Sequence, residues 1–245
     1  MTENRFARRL DELDPQERKL AEAAVNAAST SFAGFAEKVD SDYHEAPGLT
    51  PAETWARIAE ELGRVSALTA IEGYREQRLE VADIEQIHKG IFEPVFGDKA
   101  LGLRSLRKHG VTFPMIMGTK EAPHSGIRHG TSGKQVKQNL GKALIAFGRD
   151  VEALEAAARP PLHDAARAAV RLYVKVIGIH PFFDGNGRTA WAVFSYALQR
   201  CGLVEIAVPP SDETRWALGR ALRGDGSQSY EPLTDVVVDA IKNSI

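Results

Sequence analysis

Cysteine is almost missing from this sequence, which has one, Cys201, among 245 residues. A single thiol cannot form a disulfide within the chain, so the class of small secreted domains that are stapled by disulfides is excluded. The first twenty residues are charged throughout and lack the apolar stretch of a signal peptide. These features favour a reducing compartment, and we expect a cytoplasmic protein.

Long apolar runs and an excess of one charge are missing as well. No segment approaches the roughly 20 apolar residues that a membrane-spanning helix needs. Lys and Arg number 31 against 33 Asp and Glu, which gives a formal net charge of -2. We therefore expect no membrane partner, and nucleic acid is disfavoured as a partner because its binding usually requires a basic surface.

Helical patterning covers most of the sequence, and a hydrophobic content of 43% suits one large domain. The clearest helix begins at "TPAE", where Thr50 is the predicted N-cap, Pro51 the first helical residue and Glu53 the partner in a capping box. Its apolar positions follow a helical spacing: Trp55, Ile58, Leu62 and Val65. Further helices are predicted at about 16–39, 81–97, 133–158, 162–178 and 188–201, and in two segments after 208.

Residues 100–132 have a different pattern. They contain the short apolar run "GVTFPMIMG", followed by the polar and glycine-rich "TKEAPHSGIRHGTSG", which predicts a short hairpin or flap. The predicted class is therefore mainly α, a helical bundle with a short β-hairpin flap. The turn-rich stretch at 41–50 predicts a boundary between an N-terminal helical lead segment, 1–48, and a main domain, 49–245.

Polar residues are most concentrated in "GIHPFFDGNGRTAW", from Gly178 to Trp191. His180 follows Tyr173 and Val176 at helical steps, so it is expected to continue a buried stripe. Pro181 then disfavours helix at the residue before it and turns the chain. The remaining "FDGNG" is expected at the N-terminus of the next helix, where free backbone N–H groups and the helix dipole attract anions.

The polar residues and the glycines of this loop each suit one task in phosphoryl transfer. Gly185 and Gly187 can adopt positive φ, which lets successive N–H groups converge on a phosphate. Asp184 is a carboxylate of the kind that holds Mg²⁺ together with substrate phosphates. Arg188 offers a charged fork for phosphate oxygens, and His180 is the candidate general base for a hydroxyl nucleophile.

Asn186 can donate to and accept from either a ligand or the loop backbone. Taken alone, "DGNG" is most often a turn, and a single histidine on an apolar stripe is most often a packed core residue. Here all of these features share one loop between two helices. Their combination favours a phosphoryl- or nucleotidyl-transfer site.

The segment "HPFFDGNGR" resembles the signature loop of the Fic (filamentation induced by cAMP) family, H-x-F-x-D/E-G-N-G-R-x-x-R, at every defined position except the last. "VADIEQIHKGIF" resembles the first core helix of that family, and "DAARAAVRLYVKVIGIHPF" resembles the helix that leads into the signature. The flap-like 111–131 stands where the family has its target-docking hairpin. The likeness extends over about 50–240.

The resemblance implies a protein adenylyltransferase, which uses Mg²⁺ and moves AMP from the co-substrate ATP onto a Ser, Thr or Tyr hydroxyl of a target protein. It implies that His180 is the catalytic base, Phe182 the apolar anchor of the loop and Asp184 the Mg²⁺ ligand. It also implies that the remaining signature residues hold the phosphates: Gly185, Asn186, Gly187 and Arg188. Proteins of this family often pair, so the oligomeric state is open between a monomer and a homodimer.

The last position of the signature departs from the family. Trp191 stands where the resemblance implies a second arginine that holds the γ-phosphate of ATP, and an indole offers a single N–H donor. The alternatives are weaker use of ATP, a donor without a γ-phosphate, or nucleotide binding with little chemistry, and Trp191 as a mere packing residue fits all three. Two other functions therefore stay open: transfer of another phosphate-linked group such as UMP or phosphocholine, and a nucleotide-binding pseudoenzyme that acts through partners.

The helix expected at 50–76 contains "LTAIEGY", which is similar to the family's inhibitory motif S/T-x-x-x-E-G/N except at Leu68. The resemblance implies that Glu72 is an inhibitory residue and that this helix keeps the enzyme autoinhibited. Glu72 also continues the apolar stripe of the helix, where a carboxylate is costly unless it is paired or the stripe reaches solvent. Because the second arginine is missing, our hypothesis is that Glu72 pairs with Arg188 or acts through bulk alone.

Overall fold

The computed structural model describes residues 5–32, 46–97, 131–208, 211–223 and 229–244, and the backbone of two strands at 114–117 and 126–129. Within these residues the chain forms eight α-helices: α1 (Pro15–Ser31), α2 (Pro51–Tyr74), α3 (Val81–Phe96), α4 (Val136–Ala156), α5 (Leu162–Ile179), α6 (Asn186–Arg200), α7 (Asp212–Arg223) and α8 (Glu231–Lys242). The predicted mainly α class is confirmed. None of the described helices is both long and apolar enough to cross a lipid bilayer.

Two short strands interrupt the helical order. Strand β1 (Pro114–Met117) pairs antiparallel with β2 (Gly126–His129), so that Pro114 lies opposite His129 and Met117 opposite Gly126. The residues between the strands lie outside the described part of the chain, so the flap and its docking role stay predictions. Half of the boundary region, residues 41–45, also lies outside it, and the division at residue 48 stays a prediction.

The start of α2 has the predicted capping box. The Thr50 hydroxyl accepts the Glu53 N–H at 3.3 Å, and the Glu53 carboxylate accepts the Thr50 N–H at 2.8 Å. Pro51 occupies the first helical position, where its missing N–H costs nothing. These local bonds fix where α2 begins and hence which of its faces turns inward.

Helix α6 lies at the centre of the bundle, with every residue from Arg188 to Leu198 buried. It packs between α2 on one side and α5 on the other. The Thr69 hydroxyl donates to the carbonyl of Ala192 at 2.6 Å, and a Cβ on Gly73 would overlap the carbonyl of Tyr196. Since both contacts advance along the two helices in the same direction, α2 and α6 run parallel here.

The N-terminal residues are fastened to the same core. Phe6 is fully buried, and the Arg64 guanidinium on α2 donates to the carbonyl of Phe6 at 2.8 Å and to that of Gly90 at 3.0 Å. Helix α1 then lies along α2, where small residues of both helices form one cluster with Ile71. The described residues before α1, 5–14, are called the N-terminal arm below. Through Arg64, this arm is bonded to α2 and α3 together.

Candidate active site

His180 occupies a strained position at the end of α5. Its backbone is left-handed, with φ 53° and ψ 60°, and its N–H donates to the carbonyls of Val176 and Ile177 at 3.2 and 3.0 Å. Glu76 is the other non-glycine residue with positive φ in the described part of the chain. Such a backbone costs free energy and persists only where its surroundings hold it. It turns the histidine off the helix at the entrance to the loop.

Asn186 closes the loop onto itself. Its side-chain carbonyl accepts the Phe182 N–H at 2.8 Å, and its amide donates to the Phe182 carbonyl at 2.9 Å. The side chain is 4% exposed, so these two bonds take up its interior donor and acceptor. Of the two uses that the sequence left open for the side chain, a ligand or the loop backbone, the structure shows the loop backbone.

Phe182 anchors the loop through a residue that the sequence analysis missed. Its ring is fully buried and stacks on His88 of α3, with ring centroids 3.8 Å apart and planes 5° apart. The Nδ1 atom of His88 lies 3.0 Å from the hydroxyl oxygen of Thr189 on α6. His88 thus joins α3, the loop and α6. In the sequence, the position of His88 among the apolar residues of "VADIEQIHKGIF" is the feature that indicates a buried side chain.

Gly185 forms the turn into α6. It is the N-cap, with φ 73° and ψ 8°, and its carbonyl accepts the Thr189 N–H at 2.9 Å. A Cβ at this position would overlap the ring of Phe92. Gly187 differs from the expectation, since it lies inside the helix without a positive φ, is exposed, and has no described atom within 4 Å of its Cβ direction.

The start of α6 has the chemistry of an anion site. The N–H groups of a helix's first turn have no acceptor within the helix, and the helix dipole adds partial positive charge there. Gly187 in this turn is exposed, and no described atom lies near its Cβ direction, so a ligand can reach the turn at this residue. A phosphate is a suitable ligand for such a turn.

Arg188 lies against two aromatic rings. Its guanidinium carbon lies 4.9 Å from the ring centroids of both Trp55 on α2 and Phe92 on α3, and the residue is 6% exposed. Burial lowers the pKa of Arg188, and the charge of Asp184 opposes that effect. An arginine stays protonated even so. The site therefore contains a permanent, poorly hydrated positive charge beside the helix start.

Asp184 lies beside the Arg188 guanidinium and is exposed to solvent. Its carboxylate is 3.5 Å from the Arg188 Nη2 atom, and its side chain is 56% exposed. The described residues contain no group of three or more His, Cys, Asp or Glu that could hold a metal ion by themselves. One exposed carboxylate beside a phosphate site does fit Mg²⁺, which typically takes one or two protein carboxylates and completes its shell with phosphate oxygens and water.

Trp191 lies in an aromatic cluster one turn further along α6. Its ring meets those of Phe32, Tyr173 and Phe194 edge to face, at centroid distances of 5.8, 6.4 and 5.6 Å. It is 4% exposed. Trp191 therefore packs inside the bundle, which agrees with its interpretation as a packing residue of the helix.

Glu72 does not pair with Arg188, so that part of the hypothesis is wrong. Its carboxylate accepts from Arg5 at 2.7 Å, and Arg5 also contacts Asp83 at 2.6 Å. The reason lies in the register of the helices, because the neighbouring Gly73 packs against Tyr196, about two turns beyond Arg188. Arg5 of the N-terminal arm compensates the buried carboxylate, which the sequence pattern of α2 alone could not show.

A cavity of about 450 Å³ lies along α5 and reaches the beginning of the loop. Gly178 and Ile179, the two residues before His180, line it together with Leu222 of α7. Lys142 and Lys175 add positive charge to its wall. The cavity thus has an apolar wall next to the loop, and its charged wall also contains the paired Asp150 and Arg171.

Comparison with known sequences gives one family. The profile of the Fic/DOC family matches residues 78–198. A protein adenylyltransferase Fic of Drosophila willistoni is 26% identical over 113 residues, which are 46% of this chain and 22% of the relative. One of Drosophila melanogaster is 29% identical over 84 residues, 34% of this chain and 16% of the relative. The matches thus cover about a fifth of the length of these curated relatives.

Comparison with solved structures gives the same fold. A Fic domain containing signaling protein from Bacteroides thetaiotaomicron has a TM-score of 0.60 at 14% identity, over 98% of this chain and 92% of the other. IbpAFic2 in complex with adenylylated Cdc42 has a TM-score of 0.52 at 16% identity, over 96% of this chain and 72% of the other. At such identities the likeness shows the arrangement of the helices.

Proposed function

Because the chain belongs to the Fic/DOC family, we propose that it transfers AMP from ATP to a hydroxyl side chain of a target protein. One observation carries this proposal: a single loop joins the left-handed His180 to the open first turn of α6 and to the charge of Arg188. The named activity of the matched relatives, protein adenylyltransferase, supports the group transferred. The adenylylated Cdc42 bound to IbpAFic2 supports a protein as acceptor.

The proposed reaction is a displacement at the α-phosphorus of ATP. The target hydroxyl gives its proton to His180 while its oxygen bonds to the α-phosphorus. The bond from this phosphorus to the oxygen that bridges to the β-phosphorus breaks, and pyrophosphate leaves with that electron pair. The N–H groups at the start of α6 and the Arg188 guanidinium stabilise the negative charge on the phosphate oxygens.

Asp184 is the residue that would hold Mg²⁺. Its exposed carboxylate lies 3.5 Å from the Nη2 atom of Arg188, a residue of the first turn of α6. When bound, Mg²⁺ neutralises phosphate charge and orients the leaving group. The buried side chain of Asn186 and the stacked pair of Phe182 and His88 keep the loop in its shape while these ligands exchange.

The proposed function is tested by measuring which donor nucleotide labels protein. The experiment is incubation of the protein with Mg²⁺ and ATP, UTP, CTP or GTP, each labelled at the α-phosphate, in the presence and absence of a cell lysate. We expect protein-bound label from ATP. Labelling from UTP alone, or from none of the four while nucleotide still binds, would contradict AMP transfer.

A second donor class is favoured by the packing of Trp191. The aromatic cluster around it supplies no charge for a γ-phosphate, so a donor that lacks this group loses nothing at that position. Labelled ADP and a metabolite linked to a nucleoside diphosphate are therefore tested in the same labelling assay. Transfer from either one at a rate equal to that from ATP would show that the third phosphate is not recognised.

Autoinhibition by α2 has a candidate contact that differs from Glu72. Trp55, in the first turns of α2, stacks against the Arg188 guanidinium, with its ring centroid 4.9 Å from the guanidinium carbon. A cation stacked on two rings has less access to phosphate oxygens than an open one. We propose that α2 inhibits nucleotide binding through this stacking contact, and that the N-terminal arm holds α2 in place through Arg5 and Arg64.

Trp55→Ala is expected to raise both ATP affinity and auto-labelling, by about 5- to 30-fold, because a desolvated cation–π contact contributes about 1–2 kcal/mol. Isothermal titration with ATP and the labelling assay measure the two effects. Trp216→Ala is the matched control, since Trp216 is exposed on α7 and stacks with Arg220 instead. Unchanged or weaker binding by a folded Trp55→Ala protein would contradict the proposal.

Glu72→Gly separates the two sources of inhibition. The Glu72 carboxylate pairs with Arg5, so we expect this variant to raise labelling less than Trp55→Ala does. A larger rise for Glu72→Gly would return the inhibitory role to Glu72, as the family motif implies. The two variants are compared in the same labelling assay.

A further inference from the structure

The ring of His88 contacts residues at both ends of the loop. Near its beginning, the ring stacks on Phe182, two residues after His180, with ring centroids 3.8 Å apart. Near its end, the Nδ1 atom lies 3.0 Å from the hydroxyl oxygen of Thr189, one residue after Arg188. One side chain of α3 therefore contacts both the part of the loop that carries the candidate base and the part that carries the candidate phosphate clamp.

The same ring also borders the turn between these two contacts. A Cβ on Gly185 would come within 3.2 Å of the His88 Cε1 atom and would overlap the ring of Phe92. The rings of His88 and Phe92, one helical turn apart on α3, have centroids 4.6 Å apart. The turn that begins α6 therefore packs directly on two rings of α3.

Both partners of the His88–Thr189 contact are enclosed. His88 is 4% exposed and Thr189 is fully buried. The Thr189 N–H donates to the Gly185 carbonyl at 2.9 Å, so the backbone of this residue is bonded to the same turn. A buried polar contact of this kind holds one packed arrangement more strictly than apolar packing does. A displacement of the His88 ring would therefore shift both ends of the loop.

We propose that His88 is a positioning residue, which sets the distance between His180 and the first turn of α6. The inference rests on the transfer reaction proposed above. His88 acts through Phe182 and Thr189, and no proton transfer or bond change is assigned to it. Transfer requires the base, the target hydroxyl and the phosphorus to be aligned, and a misplacement of about 1 Å costs up to about 10²-fold in rate.

Thr189→Val tests the hydrogen bond, because valine is β-branched like threonine but has no hydroxyl. We expect it to lower the labelling rate at saturating ATP about 10- to 100-fold. The KM for ATP should stay close to the wild-type value, because the N–H groups of the first turn and Arg188 are unchanged. Thr189→Ser, which keeps the hydroxyl, is the matched control and should retain the wild-type rate.

His88→Phe removes the same hydrogen bond from the other side and keeps a ring against Phe182. It should lower the rate by about the same factor as Thr189→Val. The double variant should be no slower than either single variant, because one shared hydrogen bond is lost in all three proteins. Urea denaturation of each variant measures the loss of stability separately from the loss of rate.

Hydrogen–deuterium exchange supplies a readout that does not depend on transfer. It measures how often backbone N–H groups open locally. We expect Thr189→Val and His88→Phe to exchange faster than the wild type in peptides that cover 178–190. Peptides from α8, which packs on α5 and α7, should exchange as in the wild type.

Three results would overturn the proposal. Wild-type rates at saturating ATP in both single variants, with only the urea midpoint lowered, would leave His88 as a core residue alone. Losses that multiply in the double variant would show that the two side chains act independently. If the wild type labels no protein from any donor, the transfer proposal fails instead, and unchanged exchange over 178–190 in both variants would then overturn the role of His88.

Discussion

Replacing His180 by alanine is expected to lower protein labelling from ATP by a factor of about 10² to 10⁴, because in the proposed reaction the target hydroxyl then loses the base that takes its proton. The affinity for ATP should stay within about threefold of the wild type, because phosphate binding is assigned to the start of α6 and to Arg188, outside the histidine side chain. Labelling rates and isothermal titration measure the two quantities separately.

His163→Ala is the matched control for this variant. His163 is a partly exposed histidine on α5 that contacts Glu231 and Asp235, away from the loop. Its replacement should leave labelling unchanged. Equal labelling by wild type and His180→Ala would show that His180 is not the base. Loss of ATP binding along with labelling would show instead that the variant had damaged the loop.

Gly185→Ala is expected to lower the free energy of unfolding by about 2–5 kcal/mol. A left-handed backbone costs a residue with a Cβ about 1–2 kcal/mol, and overpacking adds about 1–3 kcal/mol. Both apply here, since Gly185 has a φ of 73° and its Cβ would overlap the ring of Phe92. Urea denaturation followed by circular dichroism measures the change.

The matched control for this prediction is two residues away. Gly187 lies inside α6 with an ordinary backbone and no described atom near its Cβ direction. Gly187→Ala should therefore change stability by less than about 1 kcal/mol, in the stabilising direction that alanine has over glycine in a helix. If the two alanine variants were equally stable, the left-handed turn at the start of α6 would be contradicted.

The sequence predicted those features whose causes lie close together along the chain. The capping box of Thr50 and Glu53 spans three residues, and it appears in the structure with both of its hydrogen bonds. The inward stripe of α2 follows from a helical repeat, and the signature loop is a run of consecutive residues. Each of these depends on local geometry that a single segment determines.

The partners of the site residues could not be predicted in this way. Glu72 pairs with Arg5, which is 67 positions earlier, and the His88 ring meets Thr189, which is 101 positions later. Arg188 stacks on a ring from each of two other helices. Such contacts depend on how helices pack, and an apolar or charged residue on an inward face does not specify which neighbour it will meet.

The aromatic cluster around Trp191 also limits how this chain can change over evolutionary time. An arginine at position 191 would place its charge among Phe32, Tyr173 and Phe194, where burial without a partner is costly. A single substitution at position 191 therefore does not create a usable second arginine, because several neighbouring rings would have to shrink or become polar first. Each large side chain that packs against Trp191 therefore makes an arginine at position 191 harder to accommodate.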